Sequence, residues 1–330
     1  EDPDRFWMTQ QVIASILEEY DAAQLHPARH TFPLLAGDDE VSLMFPRSKP
    51  DKDVSEYVAI VADVGHEAVE LKINGYATIA IFSMMQRTCY IVLHIYSGRR
   101  RAGDVQTQLE MITSNADYDV LVVCLDLAVD AVRCDLSQQK NRSFWSSQLY
   151  SGKIVAVIVG APCETYSAIR EQPVEGRSFA PRPLRSRLEP WGKKGLSCRE
   201  LEQVHTSNIL MGFALDATVA MIHVGGCCIS EHPAEPRGCS SVSKWRLWQV
   251  KALLSCPATH KYTFRQGIHG SGCSKPTTLL VVRLHHLKKY LYKAQLQLDP
   301  STSDWEILKG LDKDGNWKTS RAKEYPPSLC

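Results

Sequence analysis

The chain has 330 residues, a formal net charge of +1, 44% hydrophobic and 23% charged residues. That length can bury a large core in one large or two smaller domains, and the near-neutral charge excludes a global pull toward nucleic acid or acidic lipid. No run of eighteen apolar residues and no secretory leader pattern stand out, so neither a transmembrane helix nor a membrane partner is expected.

The eleven cysteines are odd in number and irregular in spacing, and Cys124 and Cys134 lie inside apolar runs. That usage fits reduced thiols in an intracellular setting, the nucleus included, better than a disulfide framework. A start at Glu1 and an abrupt end at Cys330 suggest a piece of a longer polypeptide.

Residues 1–25 read as a helix. Phe6, Val12, Ile13, Ile16, Leu17 and Tyr20 recur at helical spacing after Asp2-Pro3-Asp4. Residues 26–53 read as a loop, and Val54 to Ile73 is ambiguous between helix and strand before a turn at Asn74-Gly75. Residues 1–85 carry no evident chemistry and are expected to form a mainly helical N-terminal extension to a domain spanning 86–330.

From Cys89 onward strands and helices alternate. Tyr90–Ile95 reads as a strand, followed by a turn over Tyr96–Asp104 and a helix over Val105–Thr113. Val120–Leu125 is a second strand ending in Asp126, and Ala131–Cys134 a third, with Asp135 after it. A helix over Ser137–Tyr150 precedes Ile154–Val159, a continuous apolar run that reads as a strand buried on both faces. Gly160 and Pro162 stop that strand, and the first reactive side chain beyond the stop is Cys163.

Residues 173–199 form a Pro-, Arg- and Gly-rich linker. Between Arg177 and Arg199 stand seven basic residues against one acid, Glu189. The rest reads as a helix over Leu201–Ala220, a strand over Met221–Ile229 leading to Glu231, and a helix over Val242–Leu254. Strands over Tyr262–Gln266 and Thr277–Leu284 follow, and a tail runs to Tyr325-Pro326-Pro327. Such alternation argues for an α/β sheet with crossover helices.

The ordered set of strand ends resembles the cytosine-C5 DNA methyltransferases. The resemblance covers residues 90–330 and implies a Rossmann-like, S-adenosylmethionine-binding sheet with helices on both faces. Tyr96-Ser97-Gly98 resembles the family's aromatic-x-Gly turn, where a glycine allows close backbone approach to the cofactor. Arg99-Arg100-Arg101 stand where the family has further glycines. Asp126 resembles the acid that holds the ribose hydroxyls, a task suited to a carboxylate that accepts two hydrogen bonds from a diol. Asp135 resembles the acid that contacts the adenine.

Pro162-Cys163 resembles the catalytic Pro-Cys pair, with Ser167 matching a downstream serine and Ala161 standing for a second proline. The resemblance implies a Cys163 thiolate that adds to C6 of cytosine, so that C5 takes a methyl group. A thiol suits this step because its thiolate is strongly nucleophilic and can leave again. Glu231 resembles the glutamate at the base edge near N3, a role that calls for a carboxyl kept protonated or sharing a proton with the base. His232 and Pro233 depart from the family's following residues. Gln266 is the one residue matched in a later Gln/Arg motif, with Lys275 downstream, and Glu324-Tyr325-Pro326-Pro327 stands where a final Pro-Pro motif lies.

The basic linker reads either as a solvated loop or as a contact for phosphates, Arg185 and Arg187 among its residues, because such side chains neutralise backbone charge without reading sequence. A cytosine in duplex DNA would have to flip out to reach Cys163.

Other constellations are weaker. Cys227, Cys228, His232 and Cys239 could be zinc ligands, but adjacent cysteines fit one tetrahedral ion poorly and no C-x2-C pair is present. The sequence has no phosphate loop and no hydrolase nucleophile elbow. The principal expectation is a DNA cytosine methyltransferase using S-adenosylmethionine. The alternatives are an inactive relative that binds nucleic acid or a partner, and a segment of a mobile-element-type polyprotein.

Overall fold

The structure, a computed structural model, describes residues 70–73, 77–80, 89–113, 119–167, 170, 182–236, 242–293, 313, 318 and 325. The helix expected over 1–25 lies outside the described residues, as does the first part of the basic linker. Within the N-terminal extension the described residues are strands. β1 (Glu70–Ile73) and β2 (Ala77–Ala80) pair antiparallel, with Ile73 opposite Ala77. The ambiguous segment thus ends as a strand, and the mainly helical expectation is corrected for these residues.

The main sheet has six strands: β3 (Cys89–Ile95), β4 (Asp119–Leu125), β5 (Ile154–Gly160), β6 (Cys227–Pro233), β7 (Thr259–Arg265) and β8 (Pro276–Val282). Their order is β4-β3-β5-β6-β8-β7. β4, β3, β5 and β6 run parallel, and β8 is antiparallel to both of its neighbours. Between Ile91 and Val92 the β3–β5 register shifts, so Val155 is passed over while Leu93 and Val157 pair in step.

Alternation along the strands separates two cores. Leu93, Ile95, Val157, Val159, Cys228 and Leu280 face one side. Val92, Val122, Cys124, Cys227, Leu279 and Val281 face the other. Helices α2 (Gln139–Tyr150), α3 (Cys198–Val224) and α4 (Trp248–Leu254) cover the first side, while α1 (Val105–Thr113) and α5 (Leu287–Lys293) cover the second. The central strands are buried on both faces, which is why β5 reads as an unbroken apolar run. The α/β expectation therefore holds at the level of a mixed sheet with helices on both faces.

Three local readings are corrected. Residues 131–133 are turn, not strand. Asp130 Oδ1 accepts from the amides of Val132 and Arg133, and this side-chain acceptor folds the chain back before it can extend. Residues Met221–Val224 belong to α3 rather than to the strand that follows. α3 shows a stripe of buried Val204, Ser207, Met211, Ala214, Thr218 and Met221 at three- and four-residue spacing. The third correction is the helix expected from Val242. A 3₁₀ turn over Lys244–Arg246 comes first, and α4 begins only at Trp248.

α3 has 27 residues and is long and apolar enough to cross a membrane, with 56% of its most apolar window buried by the rest of the chain. It starts with a reciprocal cap between Ser197 and Glu200. It stops at Gly225, whose φ of 82° few other residues adopt cheaply. Arg283 closes that end by donating to the carbonyls of Met221, Gly226 and Ile222 at 3.0–3.2 Å. Replacing Arg283 by Ala removes these three hydrogen bonds. A loss of about 2–3 kcal/mol is expected, read as a lower urea midpoint at unchanged slope. An unchanged midpoint would show that water caps the helix equally well.

Candidate functional site

In a sheet of parallel strands, ligands settle beyond the carboxyl ends where the strand order reverses. Here that point lies between β3 and β5. Tyr96-Ser97-Gly98 leaves β3 there, Asp126 leaves β4, and Pro162-Cys163 follows β5. Glu231 sits near the carboxyl end of β6, in register with Gly160 of β5. Sequence reasoning placed each of these at a strand end, and the sheet puts those ends on one edge.

The Gly98 side is a stapled turn. The Gly98 amide donates to Asp126 Oδ2 at 3.0 Å, and Asp126 Oδ1 accepts from the Ala128 amide at 2.9 Å. Gly98 has φ 75°, and a Cβ there would meet no heavy atom of the described residues within 4 Å, so its outer face is open among them. Asp104 caps α1 through the Thr107 amide at 2.8 Å and pairs with Arg100 at 2.7 Å. Burial opposes the Asp104 charge. Arg100 and the amides of Thr107 and Arg101 outweigh it and hold the carboxyl down at about 2.

Two residues expected beside a cofactor are occupied elsewhere. The Tyr96 hydroxyl donates to the Leu210 carbonyl of α3 at 2.7 Å, and burial pushes that phenol far above its usual range. Only the Tyr96 backbone borders the cleft, with its carbonyl 3.3 Å from where a Gly160 Cβ would stand. Asp135 accepts from the amide and hydroxyl of Ser137 and from the Gln138 side chain, closing the turn before α2. Burial opposes its ionisation, but those hydrogen bonds hold the carboxyl below its usual range.

Cys163 is half-buried at the start of a turn closed by the Tyr166 amide on the Cys163 carbonyl at 2.9 Å. Burial of the sulfur raises its pKa from 9.0 to about 11, the Glu231 carboxylate adds to that rise, and Lys275 opposes it. The Lys275 ammonium lies 3.6 Å from Glu231 Oε1. Cys163, Glu231 and Lys275 therefore act on one another from three separate segments. The thiol is protonated at neutral pH. A folded value above the unfolded one stabilises the fold below about pH 9, and that contribution is lost as pH rises toward 11.

Alkylation of Cys163, followed by peptide mapping, is expected to be slow at neutral pH and to rise through about pH 11. Glu231→Gln removes a negative charge and lowers that midpoint. Lys275→Met removes a positive charge and raises it. One common midpoint for all three proteins would remove the electrostatic link.

A buried arginine clamps the Cys163 turn from below. Arg185 is 1% exposed. Its guanidinium donates to Thr165 Oγ1 at 3.0 Å, Tyr166 OH at 3.2 Å, the Pro190 carbonyl at 2.8 Å and Asn208 Oδ1 at 2.7 Å. It also stacks 3.9 Å from the Tyr166 ring centroid. The expectation that Arg185 meets phosphate is corrected: its donors are taken up inside the fold. Arg187 is exposed, and Ser167 is half-buried at the end of the Cys163 turn.

Beyond Tyr166 the column continues through the rings of His232 and Trp245. Burial holds the His232 imidazole far below its usual range and keeps it neutral. The Lys244 ammonium, fully buried, donates to Ser230 Oγ at 2.7 Å. Burial lowers Lys244 to about 8, against the pull of Cys228 and Glu231. Gln266, just after β7, is fully buried, and among the described residues neither polar atom of its side chain has a hydrogen-bond partner. Its amide donates to the Lys275 carbonyl at 3.2 Å, which places it at the root of the Lys275 turn.

Tyr325 completes the site. Its hydroxyl donates to Glu231 Oε2 at 3.2 Å and stands 3.2 Å from where a Gly160 Cβ would project. Its carbonyl accepts from Arg101 at 2.5 Å, and Lys275 lies 5.5 Å from its ring centroid. Sequence reasoning noted Lys275 and Tyr325 without joining them to Glu231, because contacts across 94 positions leave no periodic trace.

Among the described residues no three His, Cys, Asp or Glu side chains gather to hold a metal ion. Cys227 and Cys228 face opposite cores. No protein-family model matches the chain, and no match is found among curated proteins or solved structures.

Proposed function

We propose that the chain is a cytosine-C5 methyltransferase-like protein acting on DNA. One observation carries the reading: Cys163 and Glu231 share a charged neighbourhood beside the Gly98–Asp126 turn. The open face of Gly98 fits close approach by a ligand, and Asp126 keeps lone pairs beyond its two backbone bonds. These residues would hold S-adenosylmethionine. When bound, it supplies a methyl group on an electrophilic sulfonium.

Glu231 faces the N3 edge of a flipped cytosine. The Cys163 proton passes to the Glu231 carboxylate, which then donates to N3, so the negative charge opposing the thiolate disappears as the base is engaged. The Lys275 ammonium stabilises the sulfur anion. The Cys163 sulfur bonds to C6, and the electron pair of the 5,6 double bond moves to C5, which would take the methyl group as the methyl–sulfonium bond breaks and leaves a neutral thioether. A water molecule takes the C5 proton, the freed electron pair re-forms the 5,6 double bond and expels the Cys163 thiolate, and N3 returns its proton through Glu231 to the sulfur. The exposed basic residues Arg187, Lys194 and Arg199 are available for phosphates.

The Tyr325–Glu231 hydrogen bond favours a second reading, an inactive relative that keeps the sheet as a nucleic-acid-binding or interaction module. Calorimetric titration with S-adenosylmethionine and S-adenosylhomocysteine separates the two. Saturable binding lost in Asp126→Ala supports the enzyme. No binding at millimolar ligand by the folded chain leaves the module.

A further inference from the structure

We propose that Tyr325 is an autoinhibitory plug: its phenol fills the place beside Glu231 that an acceptor ring would take, and Arg101 anchors its backbone. The inference rests on the reading of the Cys163–Glu231 cleft as an acceptor pocket, and it names the element that must leave before a ring can enter.

Four contacts from separate segments define the plug. The phenol hydroxyl donates to Glu231 Oε2 at 3.2 Å, and so occupies the carboxylate expected to meet a base edge. The same oxygen covers Gly160, where a Cβ would approach it to 3.2 Å. Lys275, ion-paired with Glu231, reaches over the phenol ring. Arg101 holds the Tyr325 carbonyl from the turn that follows Gly98.

This gives the third arginine of the Arg99-Arg100-Arg101 run a task. Arg100 is engaged with Asp104, and Arg99 is exposed. Arg101 reaches from the cofactor-side turn to the residue that holds the acceptor side. Displacement of Tyr325 then couples the two halves. A ligand that draws Arg101 toward itself loosens the plug, and a planar ring with a donor beside Glu231 competes with the phenol directly.

The test needs neither S-adenosylmethionine nor DNA, so its failure is separate from failure of the methyltransferase reading. The full chain is treated with iodoacetamide, and modification of Cys163 is followed by peptide mass mapping. Cys198, exposed at the start of α3, serves as the internal reference. Tyr325→Ala and Arg101→Gln are each expected to speed Cys163 modification about tenfold, the effect of removing a hydrogen bond to a charged group. The Cys198 rate stays the same. Tyr325→Phe keeps the ring and loses the hydroxyl, and is expected to fall between these and the unaltered chain.

Exposure of the fully buried Cys228 would reveal an unfolded Tyr325→Ala protein, and the comparison then rests on Arg101→Gln and Tyr325→Phe. Faster Cys163 modification in those two folded variants supports the plug. Unchanged rates in folded variants overturn it.

Discussion

Replacing Cys163 by alanine is expected to abolish covalent trapping on a duplex carrying 5-fluorocytosine, and to lower any methyl transfer about 10⁴-fold or more. On the proposed mechanism the effect is large because the Cys163 thiolate would split one difficult substitution into addition and elimination. Without the sulfur adduct, C5 of cytosine has no means of becoming electron-rich. The variant is expected to melt within about 1 kcal/mol of the original, because the side chain is small and its residue only half-buried. Serine at this position fails too, since an alcohol ionises far less readily than a thiol. The measurement is a denaturing gel of the protein–DNA adduct beside a tritium-transfer assay. An adduct that persists in Cys163→Ala would move the nucleophile elsewhere. If the unaltered chain binds S-adenosylmethionine but forms no adduct, the cysteine mechanism is lost.

Arg185→Ala is expected to destabilise the chain by about 3–5 kcal/mol, the range for breaking a buried hydrogen-bonded charge network. In a domain of this size that corresponds to a fall of roughly 6–15 °C in melting temperature. The guanidinium ties three segments together: the Cys163 turn through Thr165 and Tyr166, the linker through Pro190, and α3 through Asn208. Among the described residues every acceptor is neutral, so the charge rests on hydrogen bonds and the Tyr166 ring rather than on a carboxylate. Lysine cannot supply the planar fork, so Arg185→Lys should retain only part of the stability. Arg187→Ala, two positions away and exposed, should change stability by less than about 0.5 kcal/mol. Equal melting of the two alanine variants would show that the buried network carries little weight.

That contrast marks what the sequence could disclose. Arg185 and Arg187 look alike in a basic linker, because burial of the first depends on Asn208 and Tyr166, neither adjacent in sequence. The strand ends were legible. Apolar runs broken by Gly98, Asp126 and Gly160-Ala161-Pro162 announce buried strands and their stops, and parallel pairing puts the stops on one edge. α1 was legible to the residue, because its apolar spacing is helical and a turn precedes it. The junction at Met221 was not. An apolar helix end and a buried strand share one composition, and the boundary is set by Gly225 and by Arg283, 58 positions on. Tyr96 carried a correct signal for the turn and a misleading one for the side chain, which found α3 instead of the cleft.

β8 lies between β6 and β7 in the sheet but follows both in the chain, so β6 can gain its second neighbour only after β8 has been synthesised. The Gly98–Asp126 turn is complete once β5 has emerged, but Glu231 waits for the Lys275 turn, more than forty residues later. Throughout that interval the nascent chain shows one bare edge of β6, its strand Cys227–Pro233 paired only with β5. An unpaired edge with Cys228 and Ile229 along it invites pairing with another chain. A stalled or prematurely ended product lacking β8 should therefore aggregate rather than persist as a smaller folded domain.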